Sequence, residues 1–78
     1  MLTPEQQAVI KRLPATFRER GIPQVDPHAT GDWDHYEACK QAVKDAERDL
    51  GIHVSQTGVY ATDFYDAAMK LVYRYLGM

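Results

Sequence analysis

Apolar positions recur at helical spacing in three stretches of the chain, and breakers separate them. In the first stretch Ile10, Leu13 and Phe17 repeat every three or four residues. Thr3-Pro4-Glu5-Gln6 opens it. Thr3 can accept a backbone N–H as N-cap, Pro4 sits where its missing N–H costs nothing, and Gln6 can complete a capping box. The pattern predicts a helix over 4–20, kinked or broken at Pro14, whose nitrogen cannot donate to the carbonyl of Ile10. Gly21 stops it.

In the second stretch Tyr36, Cys39, Val43, Ala46 and Leu50 form one apolar stripe. It predicts a helix over 32–50, with Asp32 as N-cap and Asp34 adding first-turn negative charge. Lys40, Lys44 and Arg48 line another face, flanked by Glu37, Asp45 and Glu47. Gly51 followed by Ile52 reads as a C-terminal cap with its apolar contact. The third helix is predicted over 62–76, with Thr62 as N-cap and Asp63 and Asp66 in its first turn. Asp66 and Lys70 form an i, i+4 pair, and the helix ends near Gly77.

Residues 21–31 contain Gly21, Pro23, Pro27 and Gly31 and read as an ordered, non-helical connector with Ile22 and Val25 tucked inward. A connector of this length in a small domain is often functional. Residues 52–61 read as a loop with one helical turn, or as a short hairpin in which Ile52-His53-Val54 and Val59-Tyr60-Ala61 alternate around Ser55-Gln56-Thr57-Gly58. The expected fold is mainly α, a small three-helix domain spanning 1–78 with an irregular Pro/Gly connector. The alternative is an α+β domain with a short hairpin at 52–61.

The third helix is the most informative element. Phe64, Ala67, Ala68, Leu71, Val72 and Tyr75 make a broad apolar face, and Tyr65, Met69, Tyr73 and Leu76 widen it, leaving Asp63, Asp66, Lys70 and Arg74 as a polar stripe. Such a helix needs cover on two sides. Either the other two helices supply both, or Tyr65, Met69 and Tyr73 stay outside and meet another chain. Tyrosine and methionine suit interfaces because one gives amphipathic area and the other adapts to irregular surfaces.

Composition narrows the class. The chain has 78 residues, 45% of them hydrophobic, which allows one small core. Charged residues are 26% and the net charge is −2, which excludes both a disordered acidic tail and a basic nucleic-acid clamp. The single cysteine excludes an internal disulfide and makes a reducing compartment the default. No secretory pattern opens the chain, and no apolar run approaches the roughly 20 residues that cross a bilayer. The expectation is a soluble, cytoplasmic protein complete in one domain from Met1. Charge is uneven: Asp26, Asp32, Asp34 and Glu37 fall together with no Lys or Arg among them. They form an acidic corner around Trp33.

Catalytic and cofactor chemistry finds little footing. Asp26, His28, Asp32, Asp34, His35 and Cys39 gather possible metal ligands, yet no zinc spacing is present and capping and core packing already explain them. His35 and Cys39 at i, i+4 could pair as imidazolium and thiolate, without an evident oxyanion hole or cleft. Phosphate-cradling glycine patterns are absent. No helix combines basic and bulky apolar faces strongly enough to lie on lipid. Neither an enzyme, a cofactor nor a membrane partner is expected.

Ala46-Glu47-Arg48-Asp49-Leu50-Gly51-Ile52, followed by Ser55-Gln56-Thr57-Gly58-Val59-Tyr60, resembles a helix-turn-helix. That resemblance implies a DNA-binding or regulatory protein. Against it, His53 and Val54 are two extra residues, Gly58 would weaken a recognition helix, and Asp63 and Asp66 would repel phosphates. Nucleic acid is therefore not the expected partner.

What remains is a non-catalytic protein-binding protein. Small proteins of this kind are often accessory or inhibitory factors carried by phages and mobile elements, and occlusion of a host nuclease or defence complex would fit. A homodimeric structural subunit is the other alternative. Two surfaces are candidates for the contact: Tyr65, Met69 and Tyr73 on the third helix, and the corner of Asp26, Asp32, Trp33, Asp34 and Glu37, suited to a basic partner.

Overall fold

A computed structural model describes residues 2–52 and 63–78. Among the described residues four helices follow one another: α1 (Pro4–Glu19), α2 (Pro27–Thr30), α3 (Asp34–Asp49) and α4 (Asp63–Leu76). The loop expected at 52–61 and its alternative, a short hairpin, lie outside the described residues apart from Ile52, as do the N-cap at Thr62 and the second half of the helix-turn-helix resemblance. No strand occurs among the described residues, and none of their helices is long and apolar enough to cross a membrane.

α1 begins as its sequence dictates. The Thr3 hydroxyl accepts the Gln6 N–H at 3.1 Å, and the Gln6 side chain accepts the Thr3 N–H at 3.1 Å. This reciprocal pair satisfies two of the N–H groups that every helix start leaves open. The helix then runs through Pro14 without a break, so of the kink or break expected there the break does not occur. Leu13 and Phe17, on either side of the proline, are both buried, and their packing holds the helix together across the lost bond.

The three long helices end alike. At the end of α1 the Gly21 N–H donates to the Arg18 carbonyl and the Ile22 N–H to the Phe17 carbonyl. Gly51 and Ile52 repeat this pair on α3, and Gly77 and Met78 on α4. The first glycine after each cap residue has φ between 71° and 75°, a left-handed conformation in which a Cβ would be strained.

The connector differs from the expectation. It is not wholly irregular, because residues 27–30 form a single helical turn. Asp26 caps that turn through the His28 N–H at 2.9 Å, Pro27 occupies its first position, and Gly31 closes it at φ 73°. The boundary of α3 also moves: the helix starts at Asp34, with Trp33 in the cap position. The Asp32 carboxylate still accepts the Asp34 N–H at 2.9 Å, so it does the capping work one residue further out.

α4 packs against both α1 and α3, and α1 and α3 also touch. The third predicted helix therefore finds cover on two sides within its own chain. Leu13 and Phe17 from α1, Cys39, Ala42 and Val43 from α3, and Phe64, Ala68, Val72, Tyr75 and Leu76 from α4 make the core. Ile22 joins it from the connector, as its apolar character predicts, while Val25 is half-buried. The Tyr75 hydroxyl donates to the Ile22 carbonyl at 2.6 Å, and its ring meets Phe17 edge-on at 5.1 Å. These contacts tie the connector to α4 and fix where α2 and the start of α3 stand.

Candidate functional site

The short α2 turn delivers the chain to Trp33, and from there aromatic side chains run in sequence across the surface. His28 meets Trp33 at 5.1 Å and 83°, and Trp33 meets Tyr36 at 5.4 Å and 86°. Tyr36 then lies parallel to Tyr73 of α4, with ring centroids 6.4 Å apart. Perpendicular and offset-parallel contacts are the arrangements that the ring quadrupole favours. Trp33 is 42% exposed and Tyr73 41%, so the two ends of the row face solvent although a helix–helix contact joins them.

One member of each candidate surface is thus joined through Tyr36. Tyr73 came from the third-helix stripe and Trp33 from the acidic corner, and Tyr36 bridges them. Sequence reasoning placed Tyr36 on the core stripe and missed this role. Only the packing of α3 on α4 brings Tyr36 and Tyr73 together, and no local signal reports it. Tyr36 is half-buried, and its phenol is pushed up to about 12, chiefly by burial, with the Tyr73 hydroxyl adding to the effect and Tyr65 and Glu37 acting in the same direction. Its hydroxyl therefore stays protonated throughout the ordinary pH range. Tyr65 is half-buried. Met69 drops out of the surface: it is 5% exposed and belongs to the core.

Acids flank Trp33 and Tyr36 along the sequence. Asp32, Asp34 and Glu37 are exposed and Asp26 is half-buried. One oxygen each of Asp26 and Asp32 is taken by a backbone N–H. A cation already uses part of the row, because the Lys40 ammonium lies 5.5 Å from the centre of the Tyr36 ring.

Other candidate chemistry is placed elsewhere. Cys39 is fully buried and its thiol is pushed up to about 11 by that burial, so it is neither accessible nor a thiolate. Among the described residues no three His, Cys, Asp or Glu side chains gather in a metal-sized cluster. Asp45, on another face of α3, accepts from Arg20 at 2.9 Å, Gln41 at 3.0 Å and Arg48 at 3.2 Å. The hydrogen bonds from Arg20 and Gln41 hold its carboxyl below the usual range, and the ion pair links α1 to α3. A groove of about 500 Å³ lies beside it between the same helices, with Val9, Leu13 and Ala46 in its wall.

One acid is out of place. Glu47 is 1% exposed, and neither carboxylate oxygen has a hydrogen-bond partner among the described residues. Burial raises its pKa, with Lys44 opposing the shift. Its position was readable from spacing, since Glu47 follows Cys39 and Val43 at steps of four on the buried stripe.

The chain matches no protein-family model, no curated protein and no solved structure.

Proposed function

We propose that this is a non-catalytic protein-binding protein whose docking face is the row Trp33, Tyr36 and Tyr73 with its rim of Asp26, Asp32, Asp34 and Glu37. The observation that carries this reading is the continuity of the aromatic row from α3 to α4, with both ends exposed. Rigid aromatic side chains give large contact area at low entropic cost and dominate binding energy where they cluster. Carboxylates at the edge favour a basic partner and would repel a phosphate backbone, which supports a protein over a nucleic acid. A standard interface takes about 800 Å² from each partner, which suits a domain that acts by covering something. The mode of action is occlusion of a host protein complex, for example a nuclease or defence complex in the cytoplasm, by a small factor of phage or mobile-element type.

Position-dependent crosslinking tests the face. A photoreactive residue is placed at position 73 and, separately, at the exposed Lys11 position of α1, and each variant is irradiated in host extract. A discrete adduct should form from position 73, disappear with Trp33→Ala, and be absent from position 11. Adducts that are the same from both positions, or that survive Trp33→Ala in a variant with unchanged helix content, would overturn the assignment.

A further inference from the structure

We infer that the face captures an arginine side chain of its partner, with the guanidinium lying on the Trp33 ring and its N–H groups reaching the Asp32 and Asp34 carboxylates. This rests on the binding reading above and specifies the chemistry of the occupant.

Indole has the strongest attraction for a cation among aromatic rings. Trp33 is the only tryptophan in the chain, and its ring is substantially exposed. His28 and Tyr36 stand nearly perpendicular to it, at 83° and 86°, so the indole is braced by two other rings. Among the described residues the cation–ring contact is that of Lys40 with Tyr36. The row therefore already holds one cation, and Tyr36 is the ring that is taken.

Charge points the same way. The start of α3 carries about half a positive charge from its peptide dipoles. Asp32, Asp34 and Glu37 are set against it, so the corner stays strongly negative. Asp32 spends one oxygen on the Asp34 N–H. The remaining oxygens of Asp32 and Asp34, the two residues that flank Trp33 in sequence, have no donor among the described residues, and an incoming guanidinium brings five. Planarity separates arginine from lysine. A guanidinium can lie flat on a ring and still direct its N–H groups in its own plane toward carboxylates, while an ammonium must choose.

The lone tryptophan reports the event directly. Short capped peptides alternating glycine with arginine, with lysine or with glutamate are titrated into the full chain while Trp33 emission is followed. The arginine peptide should change the emission saturably and bind about tenfold more tightly than the lysine peptide, and the glutamate peptide should do nothing. Asp32→Asn combined with Asp34→Asn should weaken arginine binding about tenfold and flatten its salt dependence. Asparagine keeps the capping oxygen, so the fold should survive, and circular dichroism checks that it does. Equal affinity for lysine and arginine, or indifference to the double substitution, overturns the proposal. If the arginine peptide gives no saturable change while the position-73 adduct persists, arginine capture falls and the binding reading stands. If both are lost, both fall.

Discussion

Two acidic regions of one helix, a little over three turns apart, are solvated in opposite ways. At its start, Asp32, Asp34 and Glu37 face water, where they offset the helix dipole. Near its end, Glu47 lies on the buried stripe with no donor for its carboxylate among the described residues. The first group stays in contact with water. Burial raises the pKa of the second, because an ionised carboxylate without a donor is costly in an apolar surrounding. The contrast shows that an acid's position on the helical wheel decides whether water or the core surrounds its carboxyl.

Replacing Glu47 should change stability most. Glu47→Leu should stabilise the domain at neutral pH by about 1–3 kcal/mol, since a hydrophobe of similar volume removes the desolvation cost. Denaturant unfolding of both proteins between pH 4 and pH 8 checks it. A carboxyl whose folded pKa is raised gives its full contribution below its ordinary value of 4.5. Above that value the unfolded chain releases its proton while the folded chain retains one, so stability falls as pH rises, until the folded group ionises. The gap between Glu47→Leu and the natural protein should therefore widen with pH. Asp45, whose pKa is lowered by Arg20 and Gln41, acts with the opposite sign. Its contribution is present above 3.8 and lost as pH falls further. The two windows do not overlap. A Glu47→Leu protein less stable at every pH would mean that the carboxyl has a partner after all.

Sequence reasoning reached the architecture because helix starts and stops are local. The Thr3 and Gln6 pair, the glycines at 21, 51 and 77, and the apolar steps of three and four each act within one turn. The four-residue helix at 27–30 was equally local, with Asp26, Pro27 and Gly31 as its cap, first residue and stop. The density of breakers hid it. Glu47 was misplaced because charge was allowed to outweigh spacing. The link between the two candidate surfaces was beyond reach for a different reason: the contact between Tyr36 and Tyr73 depends on how α3 crosses α4.

A buried polar group with a partner responds the other way. The Tyr75 hydroxyl is enclosed as Glu47 is, yet it donates to the Ile22 carbonyl at 2.6 Å. Tyr75→Phe should cost about 1–2 kcal/mol, because the bond is lost and a buried carbonyl is left open. The sign is opposite to that for Glu47→Leu, although both substitutions delete a buried polar group. If both stabilise the domain, satisfaction by hydrogen bonding is not what separates them.

The smallest effect on stability belongs to the exposed acids. Asp34→Asn and Glu37→Gln each remove a first-turn charge that water already solvates, and each should change stability by about 0.5 kcal/mol or less. Thermal unfolding in low salt measures this, and added salt should shrink it further. The same substitutions should weaken a basic partner by a larger factor than they move the unfolding midpoint. A charge kept in water costs the fold little, so it can be retained for contact. If Glu37→Gln destabilises the domain as strongly as Tyr75→Phe does, the acid is structural, and the rim of the aromatic row loses one of its members.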